Sequence, residues 1–90
     1  MRLDKFLKAS RLIKRRSLAQ EMIANNAVRV NGRPCKASYN VKSGDVVSVA
    51  FPRRLLRVCI SVDDEALIKR GSRCYEVLEE RTIDPDEVPW

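Results

Sequence analysis

Histidine is absent from this 90-residue chain. The commonest general base and the commonest metal ligand are therefore missing. Cys35, Cys59 and Cys74 make an odd count, and no two of them have the close spacing of a zinc site. They read as reduced, structural thiols rather than a disulfide framework or a metal centre. Aromatic residues make up 6% of the sequence. Phe6, Tyr39, Phe51, Tyr75 and Trp90 are too few and too scattered for a sheet that stacks single-stranded bases. No apolar run approaches the roughly 18 residues of a membrane span. The N-terminus also lacks the unbroken apolar stretch of a secretory signal. A cytoplasmic protein without a membrane partner is expected. No Walker loop, catalytic triad or metal cluster is present, so neither enzymatic activity nor a cofactor is expected.

Acids are scarce over most of the chain, and bases are not. Residues 1–60 hold 14 Lys and Arg against 3 Asp and Glu, a net of +11. Residues 61–90 hold 4 against 9, a net of −5. This asymmetry points to a nucleic-acid-binding body with an acidic appendage. Seven bases fall within residues 2–16: Arg2, Lys5, Lys8, Arg11, Lys14, Arg15 and Arg16. Asp4 is the one acid among them. Clustered fixed cations release counterions from each phosphate that they neutralise. A face kept merely for solubility usually mixes signs. Arg16 opens the second helix, where free backbone N–H groups favour an anion. Arg29 and Arg33 flank a tight turn and extend the candidate RNA-binding set. Asp4 has two readings: it pairs with Arg16 or Arg11, or it complements the dipole of the first helix.

Periodicity gives the elements. Leu3, Phe6 and Leu7 mark a helix over residues 3–9. Leu18, Ala19, Met22 and Ile23 make the buried stripe of a second, from about residue 15 or 16 to 25. Asn26 suits the left-handed position beyond it. Val28 and Val30 alternate with Arg29 in a short strand, and Asn31-Gly32 is a strong hairpin signal. That turn reads as structural, or as a place where backbone approaches RNA. Residues 46–51 and 55–62 are β-rich. Asp63 is expected to cap a helix that ends before Gly71, followed by a strand over residues 74–78. The expected fold is α+β: two N-terminal helices packed on a small, mostly antiparallel sheet, with a C-terminal helix–strand extension. The expected organisation is an RNA-binding domain over 1–60, the extension over 61–79 and a loosely ordered acidic tail over 80–90.

The stretches Arg2-Leu3-Asp4-Lys5-Phe6-Leu7, Arg16-Ser17-Leu18-Ala19 with Met22-Ile23, and Val28-Arg29-Val30-Asn31-Gly32 together resemble the S-four RNA-binding domain. The resemblance covers residues 1 to about 51 and implies the αL-type RNA-binding motif. One departure is Asn26, where that domain commonly has glycine. The run Arg11-Leu12-Ile13-Lys14-Arg15-Arg16 and the ending Cys74-Tyr75-Glu76-Val77-Leu78 resemble the RqcP-like factors of ribosome-associated quality control. They are similar, less closely, to the fifteen-kilodalton heat-shock proteins of the same superfamily. The resemblance to the RqcP-like factors implies binding to rRNA and peptidyl-tRNA on an obstructed large ribosomal subunit. It also implies support of alanine tailing by an RqcH-like partner, with Arg2, Asp4 and Arg16 as the matched polar positions. A monomer is expected. The alternatives are a heat-shock-type factor that recycles blocked subunits, a specificity subunit of an RNA-modifying enzyme, and a protein–protein adaptor using the acidic tail.

Overall fold

Leu3, Phe6 and Leu7 are all fully buried on the first helix, α1 (Leu3–Ala9), of the computed structural model, which describes residues 1–71, 73–87 and 89–90. A helix of 7 residues is too short to persist alone, so this apolar face holds it in place. The second helix, α2 (Arg16–Ala24), buries Ala19 and Ile23. Leu18 differs from expectation: it is 42% exposed. It sits about 100° around the helix from the inward Ala19–Ile23 line. Asn26 takes φ 60°. The N–H groups of Asn26 and Ala27 reach back to the carbonyls of Ile23 and Met22 at 3.1 and 2.8 Å, which closes the helix.

Strand β1 (Val28–Val30) turns through Asn31 and Gly32, at φ 52° and 79°, into β2 (Arg33–Pro34). Both positive dihedrals match the type I′ hairpin that this dipeptide favours. Then follow β3 (Val46–Phe51), β4 (Arg54–Ile60), helix α3 (Glu65–Lys69) and β5 (Tyr75–Thr82). The sheet is antiparallel throughout, in the order β2-β1-β3-β4-β5. Rows such as Val28–Val49–Leu56 and Val30–Val47–Val58 run across it. These six residues are buried with α1, Ile13 and Val41 in one core. The alternate row, Arg29–Ser48–Arg57–Glu79, lies on the other face of the sheet.

Two features of the C-terminal part differ from the sequence reading. Asp64, not Asp63, caps α3, accepting from the N–H groups of Ala66 and Leu67. Asp63 instead accepts from the Ser43 N–H at 3.2 Å. The helix begins one residue later than expected, so the adjacent carboxylate takes the cap. The segment from residue 80 is not loose where it is described. Strand β5 runs on to Thr82, and Ile83 is 5% exposed, its N–H held by the Arg53 carbonyl at 3.0 Å. Arg81 pairs with Glu87 at 2.8 Å, and the Trp90 indole N–H reaches the Asn26 carbonyl at 3.1 Å. The charged residues Glu79, Glu80 and Arg81 hid this continuation, and a bulge opposite Arg57 and Val58 shifts the register within it. Leu78 is the unpaired residue there and is 53% exposed. The boundary drawn before residue 80 thus falls inside a strand, and the extension shares one sheet with the N-terminal elements.

Candidate nucleic-acid interface

The site is organised around a carboxylate with no solvent exposure. Asp4 lies in the first turn of α1, fully buried. It accepts the Lys5 backbone N–H at 2.8 Å, so it does complement the start of α1. It also accepts the Arg16 Nε at 3.1 Å and the Gln20 Nε2 at 2.8 Å, both from α2. Arg2 adds a two-pronged contact at 3.2 and 3.3 Å. Both readings of Asp4 therefore hold together, with Arg16 rather than Arg11 as the cross-helix partner. Burial raises the pKa of its carboxyl. The hydrogen bonds from Gln20, Arg16 and the Lys5 N–H, with the Arg16 charge, outweigh that and hold it below the ordinary carboxylate value.

This arrangement leaves the arginines usable. The side chains of Arg2 and Arg16 remain 48% and 43% exposed while their Nε atoms are held. A guanidinium has five N–H donors in a planar fork, so each retains donors for a phosphate. Asp4 cancels one charge but fixes two cations, which removes rotamer entropy before any ligand arrives.

The connection between α1 and α2 presents Arg11, Lys14 and Arg15 to solvent, next to Lys8 and Arg16. Arg11 has φ 65°, a left-handed conformation rare for a long side chain. Leu12 and Ile13 between them are anchored in the core. Lys5, Lys8, Arg11 and Arg16 line a cleft of about 550 Å³, together with Glu65, Ile68 and Lys69 of α3. Lys5 is ion-paired there, its Nζ 2.7 Å from Glu65.

Not every candidate joins this cluster. Arg33 lies on the β1–β2 hairpin and lines a separate hollow with Asn31 and Tyr39. Arg29 lies on the face of the sheet away from the helices, beneath Trp90. A second buried carboxylate, Asp45, supports the hairpin. It accepts from the Asn31 Nδ2, the Tyr39 hydroxyl and the Lys42 N–H at 3.1, 3.0 and 3.0 Å. Burial raises the pKa of its carboxyl too, and those donors overcome it. Sequence reasoning missed Gln20, Asp45, Glu65 and Lys69. Two signals were available: Gln20 is four residues after Arg16 on one helix face, and Asp45 is one of three acids in residues 1–60.

The S4 domain matches residues 1–47, which contain α1, α2, the first hairpin and the Asp4 anchor. Relatives extend the match over almost the whole chain. The RQC P-site tRNA stabilizing factor of Bacillus subtilis is 42% identical over 92% of this chain and 98% of its own. That of Halalkalibacterium halodurans is 46% identical over 97% of this chain and 100% of its own. The chain belongs to the S4 domain family, in the branch of these factors. This S4 protein also resembles a solved structure, the trimeric Heat Shock Protein 15 of Vibrio cholerae. The TM-score is 0.73 and the identity 29%, covering 86% of this chain and 80% of that one. The α+β fold is the one expected. The S4 module here is an RNA-binding one, with its cations concentrated on α1, α2 and the loop between them.

Proposed function

We propose that this protein is a non-catalytic cytoplasmic factor that binds rRNA and peptidyl-tRNA on obstructed large ribosomal subunits. In this reading it supports C-terminal alanine tailing of stalled chains with an RqcH-like partner, acting as a monomer. The observation that carries it is the Asp4 anchor: a buried carboxylate presenting Arg2 and Arg16 within a cluster of further cations. Such a surface recognises phosphates in a fixed arrangement and does no chemistry. The contact set is Arg2, Lys5, Lys8, Arg11, Lys14, Arg15 and Arg16, with Asp4 as the positioning residue and with Arg29 and Arg33 as outlying candidates. The likeness to factors named for P-site tRNA, over nearly their full length, supports the ribosomal setting.

Cosedimentation with purified large ribosomal subunits tests the reading. Arg16→Ala is expected to weaken association far more than Arg57→Ala, because a charge-assisted contact is typically worth roughly 1.5–3 kcal/mol. Equal association of the two variants refutes it. The likeness to a Heat Shock Protein 15 favours one second reading, recycling of blocked subunits without tail synthesis. A reconstituted tailing reaction separates the two. Tail length that depends on this protein supports the first, and its absence supports the second.

A further inference from the structure

The S4 domain match ends at residue 47, but the cationic cleft does not. One of its walls is α1 and the connection after it. The other is α3, some fifty residues later in the chain. Five cations line it, Lys5, Lys8, Arg11, Arg16 and Lys69, against one carboxylate, Glu65. That carboxylate is shared: Lys5 Nζ lies 2.7 Å and Lys69 Nζ 3.1 Å from the same oxygen, Glu65 Oε1. Two ammonium groups converging on one anionic oxygen is the arrangement that a phosphate oxygen would receive.

A structural strut is the competing explanation of Glu65, and it is weak. The side chains of Lys5, Lys69 and Glu65 are 41%, 68% and 36% exposed, and ion pairs so exposed contribute little to stability. Ile68 of α3 is buried in the main core and already fixes that helix against the rest of the protein. Arg11, which takes the left-handed position just past the end of α1 with its N–H on the Lys8 carbonyl, is exposed and lines this cleft as well.

We propose that the cleft between α1 and α3 is a phosphodiester-binding site of the RNA interface, and that Glu65 occupies the phosphate position in the free protein. RNA phosphate displaces the Glu65 carboxylate from Lys5 and Lys69. The C-terminal extension thereby contributes Lys69 to an interface that the S4 domain alone leaves open on one side. This inference rests on the RNA-binding reading above.

Purified large ribosomal subunits serve as the probe, with binding measured across a salt series for the full-length protein. Lys69→Ala is expected to weaken binding about three- to tenfold and to flatten the log–log salt slope by about 1, the loss of one phosphate contact. Glu65→Gln is expected to tighten binding at low salt, because the competing charge is gone. Arg57→Ala, a charge loss on the other face of the sheet, is expected to do neither. If Lys69→Ala behaves like Arg57→Ala while Arg16→Ala still weakens binding, the cleft proposal is wrong and the RNA reading stands. If Arg16→Ala is also silent, both fall. If Glu65→Gln weakens binding as much as Lys69→Ala, Glu65 is a strut, and the displacement part is overturned. Urea denaturation of each variant checks that it is folded as the parent is.

Discussion

Trp90 lies over Arg29. The guanidinium carbon is 5.0 Å from the centroid of the ring, and the indole N–H is bonded to the Asn26 carbonyl. Among the described residues the buried Arg29 Nε has no hydrogen-bond partner, and the ring is its main compensation. Trp90 is the only tryptophan in the chain, which makes its emission specific to this contact. Arg29→Ala is expected to shift Trp90 emission to longer wavelength as the ring meets water. Binding of RNA tests Arg29 as an outlying contact: unchanged emission would put it outside the interface. A clear spectral change on RNA binding would show that Arg29 leaves Trp90 for the ligand.

The Asp4 anchor predicts a loss of both stability and binding. Asp4→Asn keeps the size of the side chain but removes the charge that holds Arg2 and Arg16. Hydrogen bonds to a charged group contribute about 1.5–3 kcal/mol, so a loss of that order is expected in urea denaturation. Subunit binding should also fall, although the substitution makes the protein more positive. Tighter binding by Asp4→Asn would show that net charge matters and positioning does not.

Acid should unfold the protein through the same groups. The hydrogen bonds that reach Asp4 and Asp45 hold both carboxyls below the ordinary carboxylate value in the folded state. A depressed folded pKa contributes stability that is complete above the unfolded value and is lost as pH falls through the folded one. The urea midpoint is therefore expected to be flat from neutrality down to about pH 5 and to drop progressively below about pH 4. Asp4→Asn should make that drop shallower. An unchanged acid slope in this variant would remove Asp4 from the account.

Salt dependence tests the electrostatic reading directly. If about five phosphates are neutralised, log affinity should fall against log salt with a slope of about −3.5 to −4.5. A slope near zero would mean that the basic face is not the binding surface.

The C-terminal segment should matter for folding more than its acidity suggests. Ile83 and Leu55 are 5% and 3% exposed, and both stand apart from the main core. Ile83→Ala is expected to destabilise by about 2–5 kcal/mol, the usual result for a buried aliphatic truncation. Truncation after Glu79 also removes the part of β5 paired with Arg54, Leu55 and Leu56. It should lower the thermal midpoint, and an unchanged midpoint would contradict the packing described for residues 80–83.

The N-terminal half was largely legible in the sequence because its signals are local. Leu3, Phe6 and Leu7 have helical spacing, Asn26 is a left-handed cap, and Asn31-Gly32 is a turn with few alternatives. What stayed hidden depends on distance. Gln20 meets Asp4 across 16 positions, and Lys5 meets Glu65 across 60. No period or dipeptide encodes such a meeting; it exists only once α1, α2 and α3 have packed. The tail was misread because its acids and prolines suggested disorder. Ile83 and Trp90 were single apolar residues without a pattern, yet each found a place against the sheet.

The burial of Asp4 also has a genetic consequence. Four donor residues converge on it, so losing Arg2, Arg16 or Gln20 singly leaves the remaining partners to hold the carboxylate. Losing Asp4 releases them all at once. Lesions around this point should therefore be unequal in severity, with position 4 the least forgiving. A second-site suppressor of an Asp4 lesion must supply a new acceptor in the gap between the first two helices. More positive charge elsewhere on the surface will not serve.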